Sequence, residues 1–61
     1  MKKITVIGAG GQMGQWFAKY FASKDFEVTG YDSENKVQGK DIIESDSLVG
    51  GILNADYVVL C

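Results

Sequence analysis

The sequence contains no histidine and no arginine, and Cys61 is its only cysteine. Histidine is the side chain that most often takes up a proton in catalysis, so its absence removes the usual activator of a nucleophile. A single cysteine excludes a disulfide framework, and no cluster of possible ligands predicts a metal site. We therefore expect no catalytic residue and no metal site in this chain, and we expect Cys61 to be buried at a strand end.

Strong positive charge is also lacking. The six basic residues are all lysines, they are scattered along the chain, and the formal net charge is −2. This balance creates no field that attracts a polyanion, so nucleic acid is not an expected partner. No apolar run approaches the roughly 18 residues that span a bilayer, and no small-residue cleavage site follows the apolar start of the chain. We expect a cytoplasmic protein that does not contact a membrane.

Length is short as well, at 61 residues. A usual domain has roughly 100 to 200 residues, and a chain of about 60 buries only about 60% of the surface that its unfolded form exposes. The hydrophobic content of 46% and the charged content of 23% are nevertheless typical of a globular protein. We expect residues 1–61 to be part of a folded domain whose remaining segments are absent.

Four glycines occur within seven residues, between a short apolar run and an amphipathic pattern. Glycine tolerates a positive φ and has no Cβ, so a strand can turn sharply there and present bare N–H groups to a phosphate at a helix N-terminus. In the dinucleotide-binding pattern G-x-G-x-x-G, Ala9 takes the first place, and Gly11 and Gly14 take the other two. Gly8 and Gly10 add freedom on either side of Ala9, which fits if its φ stays negative.

The helix predicted after this turn has an apolar face and a polar face. It begins at Gln12 and ends near residues 23–25, where Asp25 occupies an exit position often filled by glycine. The helical period predicts core packing for its large apolar residues, which are Met13, Trp16, Phe17, Tyr20 and Phe21. The residues expected to point to solvent are Gln15, Lys19 and Ser23.

The apolar pattern also predicts the other elements. Residues 3–7 predict a first strand that is buried on both faces, and residues 26–31 predict a second strand, so that the helix between them completes a βαβ unit. A brief third strand is expected at residues 42–43, and residues 57–61 are typical of an interior parallel strand. Between these two strands, an N-cap at Ser45 or Asp46 precedes a helical stripe formed by Leu48, Val49, Ile52 and Leu53.

Asp32 ends the second predicted strand, 18 positions after Gly14 (32 − 14). An acid about 20 residues after the glycine motif is expected to accept hydrogen bonds from the ribose hydroxyls of NAD. Its charge would repel the 2′-phosphate of NADP, and the chain has no arginine to hold that phosphate, although Lys36 can partly substitute. The spacing favours NAD, with NADP as the alternative; a solvated turn residue or helix cap is the other interpretation of Asp32.

Residues 4–21, with the sequence ITVIGAGGQMGQWFAKYF, resemble the amino-terminal segment of prephenate dehydrogenases, most of all those of archaea. In that family a Gly-Gly-Gln-Met-Gly or similar turn leads into a helix that begins with a Trp-Phe-Ala-Lys-like sequence. A Gly-Phe-x-Val sequence follows, which residues 25–28 match except that Asp25 replaces the glycine. Residues 54–61 are similar to the family's fourth strand.

The resemblance implies NAD(P)-dependent oxidative decarboxylation of prephenate to 4-hydroxyphenylpyruvate in tyrosine biosynthesis. The enzyme is expected to be a homodimer whose helical carboxy-terminal domain completes the active site. The family's catalytic histidine and substrate-binding arginine have no counterpart here, so we expect the parent protein to be active and the 61-residue chain alone to be inactive. Cofactor roles carry over to eight residues, which are Gly8, Ala9, Gly10, Gly11, Gln12, Met13 and Gly14 around the pyrophosphate and Asp32 at the ribose.

The predicted fold class is α/β, with residues 1–61 forming the truncated amino-terminal part of a Rossmann-type, dinucleotide-binding parallel sheet in the strand order 3-2-1-4. Two other functions remain open. The 6-phosphogluconate and β-hydroxyacid dehydrogenase group shares a Gly-x-Met-Gly-like ending of the turn. A non-catalytic NAD-sensing domain, such as the one that gates potassium transport, uses a similar turn and a similar acid.

Overall fold

A computed structural model of the protein describes residues 1–37, 39 and 41–61. Four parallel strands form one sheet in the order β3-β2-β1-β4, which confirms the predicted α/β Rossmann-type class and strand order. The elements in chain order are β1 (Lys3–Ile7), α1 (Gln12–Ala22), β2 (Glu27–Tyr31), β3 (Ile42–Glu44), α2 (Leu48–Ile52) and β4 (Tyr57–Leu60). Of the polar segment between β2 and β3, residues 38 and 40 lie outside the described residues.

Strand β1 is the centre of the sheet. It pairs with β2 on one side and with β4 on the other, and Ile4, Thr5 and Val6 are buried, as predicted for a strand covered on both faces. The Thr5 hydroxyl donates a hydrogen bond to the carbonyl of Gly51 in α2, so the one buried polar side chain among the described residues is satisfied. The buried apolar residues form a single cluster of Ile4, Val6, Ala9, Ala18, Val28 and Val37.

Helix α1 approaches the sheet through its small residues. Gly14 and Ala18 are buried, and Phe21 and Ala22 pack against the edge of the core. The prediction that all the large apolar residues of this helix lie in the core is wrong, because three of them are exposed by 62%, 57% and 45%, namely Met13, Trp16 and Tyr20. A large side chain at either buried position would hold the helix away from β1, so small residues take the inner stripe.

The end of α1 follows the prediction. Ser23 is the C-cap, and the chain leaves the helix through Asp25, which has a φ of +64°. The N–H groups of Lys24 and Phe26 both donate to the carbonyl of Phe21, which closes the last turn. An L-residue pays a steric cost in this left-handed conformation, and glycine does not.

The start of α2 differs from the prediction. Its N-cap is Ser47, whose hydroxyl accepts a hydrogen bond of 3.0 Å from the N–H of Gly50, and not Ser45 or Asp46. The N–H of Ser45 instead donates to the carbonyl of Gly30 in β2, so Ser45 continues the alignment of β3. The predicted apolar stripe is exposed rather than buried along Leu48, Val49, Ile52 and Leu53, and the buried residue of α2 is Gly51.

Strand β4 lies at the edge of the described sheet, where it pairs with β1, as the predicted order 3-2-1-4 places it; the interior position indicated by its apolar run stays a prediction for a larger sheet. Tyr57, Val58 and Leu60 are exposed. Cys61 is exposed as well, contrary to the expectation that it is buried. Within residues 1–37, 39 and 41–61, no helix has the length and apolar character that crossing a membrane requires.

We predict that Asp25→Gly stabilises the protein by about 0.5–1 kcal/mol, because it removes the cost of a positive φ at a residue with a Cβ. The measurement is the free energy of unfolding in urea. Lys24→Gly is the matched control: Lys24 is the neighbouring residue and its φ is not positive, so glycine there should destabilise the protein. Equal effects of the two substitutions would contradict this account.

Candidate functional site

The glycine turn connects β1 to α1 and is hydrogen-bonded to the carboxyl end of β2. Gly8 has a φ of +85°, and its N–H donates to the carbonyl of Tyr31 at 2.7 Å. The N–H of Ala9 donates to the same carbonyl at 3.1 Å, and the φ of Ala9 is not positive, as its place in the motif requires. The N–H of Gly11 then bonds back to the carbonyl of Gly8 at 3.1 Å. The turn is therefore fixed at the edge where open parallel sheets bind ligands.

The glycines of the turn meet different surroundings. A Cβ on Gly14 would lie 2.8 Å from the Cα of Ala9, and a Cβ on Gly10 would lie 2.6 Å from the Cβ of Asn35. Among the residues that the structure describes, a Cβ on Gly11 would have only the carbonyl oxygen of Gly8 near it, at an ordinary distance of 3.6 Å. Gly10 and Gly14 are thus required by the packing of the protein itself, whereas Gly11 has room for a side chain.

The N-terminus of α1 opens at this turn. Gly11 is the N-cap, with no side chain to cap the helix, and the first turn contains no acidic residue. The described residues provide no acceptor for the N–H groups of Gln12, Met13 and Gly14. N–H groups without an acceptor and the positive end of the helix dipole together favour an anion at this place.

Asp32 follows β2 directly and faces the turn. Its Oδ2 accepts a hydrogen bond of 3.0 Å from the N–H of Gly10, and its Oδ1 accepts bonds of 2.8 Å from the N–H groups of Glu34 and Asn35. The N–H groups of Asn35 and Glu34, followed by that of Gly10, hold the pKa of this carboxyl below its ordinary value of 3.8. The carboxylate is therefore charged at neutral pH, and it connects the glycine turn to the loop after β2.

Gln15 also contacts the turn, although its position in the helical pattern predicts that it points to solvent. Its Nε2 donates a hydrogen bond of 2.9 Å to the carbonyl of Gly10, and the contact is half-buried. Side chains on a helix lean toward its N-terminus, so a long polar residue in the second turn can reach the residues before the helix. This lean toward the N-terminus is the signal by which the contact of Gln15 with the turn could have been predicted from the sequence.

The structure brings the predicted site residues together in one place. Residues 8–14 form the turn and the start of α1, and Asp32 touches their centre through Gly10. Gln12 and Met13 are exposed, so their side chains lie outside the packed part of the turn. Asn35, which packs on Gly10, was not predicted. Among the described residues, no group of acidic or cysteine side chains is placed to hold a metal ion.

A parallel sheet whose first strand passes through a glycine turn into a helix, with an acid at the end of the second strand, defines a dinucleotide-binding protein of the Rossmann type. The family model described as "3-hydroxyacyl-CoA dehydrogenase, NAD binding domain" matches residues 3–54, and the chain belongs to this family. A comparison with curated proteins gave no match. NAD is thus the cofactor of this chain, which is an NAD-binding segment of the dehydrogenase type.

Proposed function

We propose that the chain forms the amino-terminal, NAD-binding part of a dehydrogenase that oxidatively decarboxylates prephenate to 4-hydroxyphenylpyruvate. The observation that carries the cofactor part is the hydrogen bond from the Gly10 N–H to Asp32 Oδ2, because it holds a phosphate-binding turn and a ribose-binding acid side by side. The prephenate part depends on the resemblance of residues 4–21. Residues 8–14 and Asp32 would hold NAD⁺, which would supply the hydride acceptor for this reaction.

The proposed contacts divide into two groups. The open N–H groups at the start of α1 and the bare Gly11 face the pyrophosphate, and Asp32 accepts hydrogen bonds from the adenosine ribose. The uncapped helix N-terminus and the space at Gly11 support this assignment. The full set of proposed cofactor residues is Gly8, Ala9, Gly10, Gly11, Gln12, Met13, Gly14 and Asp32.

Charge supports NAD over NADP at this site. The Asp32 carboxylate is ionised, Glu34 adds a second acidic residue two positions later, and the chain contains no arginine. A 2′-phosphate placed beside this carboxylate would meet a like charge at short range, which is unfavourable unless a cation lies between them. Lys36 is the nearest basic residue in the sequence to this loop.

In the proposed enzyme, the side chains that act as acid and base lie outside residues 1–61. The chain has no histidine or arginine for these roles. The exposed apolar residues of α2 and β4 support further segments that cover them, as expected for a larger dinucleotide-binding domain followed by a helical substrate domain in a homodimer.

A second candidate is the oxidation of a 3-hydroxyacyl thioester. The match of residues 3–54 to the 3-hydroxyacyl-CoA dehydrogenase family favours it. The two candidates use the same turn and the same acid to hold NAD, so substrate tests alone distinguish them.

We predict that Gly11→Ser weakens NAD binding by about tenfold or more while leaving the stability unchanged or slightly higher. The new side chain has room in the protein and can cap α1, but it would occupy the space of the pyrophosphate and compete for the same N–H groups. Isothermal titration with NAD and urea denaturation measure the two effects.

Gly14→Ala is the contrasting variant, because its methyl group collides with the backbone of the turn and should lower stability as well. Unchanged NAD affinity in a folded Gly11→Ser protein would remove the pyrophosphate from this position.

We predict that the protein produced from its complete gene oxidises prephenate with NAD and that the isolated 61-residue chain does not. The assay follows NADH absorbance with prephenate and, in parallel, with a 3-hydroxyacyl-CoA. Oxidation of the thioester but not of prephenate would establish the second candidate. Turnover by the isolated chain would contradict the placement of the acid–base groups elsewhere.

We predict that Asp32→Ala lowers the preference for NAD over NADP, since it removes both the ribose acceptor and the charge that opposes a 2′-phosphate. The measurement is the ratio of kcat/KM for the two cofactors in the complete protein. Asp46→Ala is the control, because Asp46 is exposed and lies outside the turn and its loop. If the ratio is the same in Asp32→Ala and wild type, Asp32 does not belong to the cofactor site.

A further inference from the structure

Both polar groups of the Gly10 backbone are held by side chains from two different elements. Asp32, after β2, accepts from its N–H at 3.0 Å, and Gln15, from α1, donates to its carbonyl at 2.9 Å. Gly10 is buried, and Asn35 lies against it on the side where a Cβ would be. Gly10, which as a glycine has a flexible backbone, is thus held by Asp32, Gln15 and Asn35.

The contact from Gln15 fixes one particular peptide group. The carbonyl of Gly10 and the N–H of Gly11 belong to the same planar unit, so a bond to one of them restricts the orientation of the other. The N–H of Gly11 also bonds to the carbonyl of Gly8 at 3.1 Å. Gly11 is the N-cap of α1, and the direction of this peptide therefore sets where the helix N-terminus begins.

Without Gln15, the peptide between Gly10 and Gly11 would keep one backbone hydrogen bond, from the Gly11 N–H to the Gly8 carbonyl, and it would have a glycine on each side. Glycine on both sides of a peptide restricts its rotation less than other residues do, so more of the ordering of this peptide would take place at the moment of binding. A site that is already ordered avoids that cost, and its ligand binds more tightly.

We infer that Gln15 is a positioning residue of the NAD site: it holds the peptide between Gly10 and Gly11, and with it the N-cap of α1, so that the N–H groups of residues 12–14 face the pyrophosphate. The inference rests on the proposed contacts of the glycine turn with NAD. Gln15 does not itself contact the reacting atoms. Its amide is suited to this role because it donates a hydrogen bond without placing a charge beside either the phosphate or Asp32.

The test is Gln15→Met in the protein produced from its complete gene, because methionine has a similar length and no donor. We expect NAD to bind about fivefold to tenfold more weakly, as for the loss of one hydrogen bond. Adenosine, which has the ribose and no pyrophosphate, should bind with unchanged affinity. The N–H of Gly11 should exchange with solvent faster than in wild type.

Lys19→Met is the matched control, since it puts the same side chain one turn further along α1, and it should leave both affinities unchanged. Gln15→Asn, whose amide is too short to reach Gly10, should repeat the loss and replaces Gln15→Met if that variant does not fold. Unchanged NAD affinity, or an equal loss for NAD and adenosine, would overturn the inference. If the wild-type protein fails to bind NAD, the proposed cofactor contacts themselves are wrong.

Discussion

The hydrogen bond between the N–H of Gly10 and Oδ2 of Asp32 connects the two halves of the βαβ unit at its functional end. A chain that leaves a strand abruptly must find acceptors for the N–H groups of its turn, because buried unpaired donors are costly. Here the acceptors come from the end of β2, namely the Tyr31 carbonyl for Gly8 and Ala9 and the Asp32 carboxylate for Gly10. The parallel register that pairs Ile7 with Tyr31 places these acceptors beside the turn.

Two requirements act on the glycines of the turn, and the structure separates them. Gly14 lets α1 approach the turn closely, and Gly10 makes room for Asn35, so both would be needed in the absence of any ligand. Gly11 meets no described atom that would exclude a side chain, so its bare side leaves room for a ligand. A motif that reads as one unit in the sequence therefore contains positions for folding and a position open to a ligand.

The elements and their order could be predicted from the sequence because strand and helix periods are local properties. The residues that pack around each element could not be predicted in this way. The inner face of α1 is set by how closely Gly14 and Ala18 let it approach the sheet, and hydrophobicity alone favours the aromatic residues instead. The burial of Val37 has no periodic signal, since Val37 follows a polar run and its side chain packs against Gly30. The N-cap of α2 is Ser47 and not the predicted Ser45 or Asp46, because the N–H of Ser45 bonds to β2.

The same distinction applies to the site. Spacing alone identifies the turn and Asp32, whereas the contact of Gln15 depends on the direction of a side chain. The contact of Gln15 with Gly10 also matters for the charges around the turn, because the Gln15 amide is neutral. A carboxylate repels an anion placed beside the turn, but the four N–H groups that lower the pKa of Asp32, those of Asn35, Glu34, Gly10 and Gly11, also offset its negative charge. One of these donors is the N–H of Gly10, and Gln15 bonds to the carbonyl of the same residue, so the acid and the amide hold two successive peptide groups of the turn. A neutral amide at Gln15 donates to the Gly10 carbonyl without adding charge beside Asp32, whereas a carboxylate at the same position would carry no donor and would repel an anion at the N-terminus of α1.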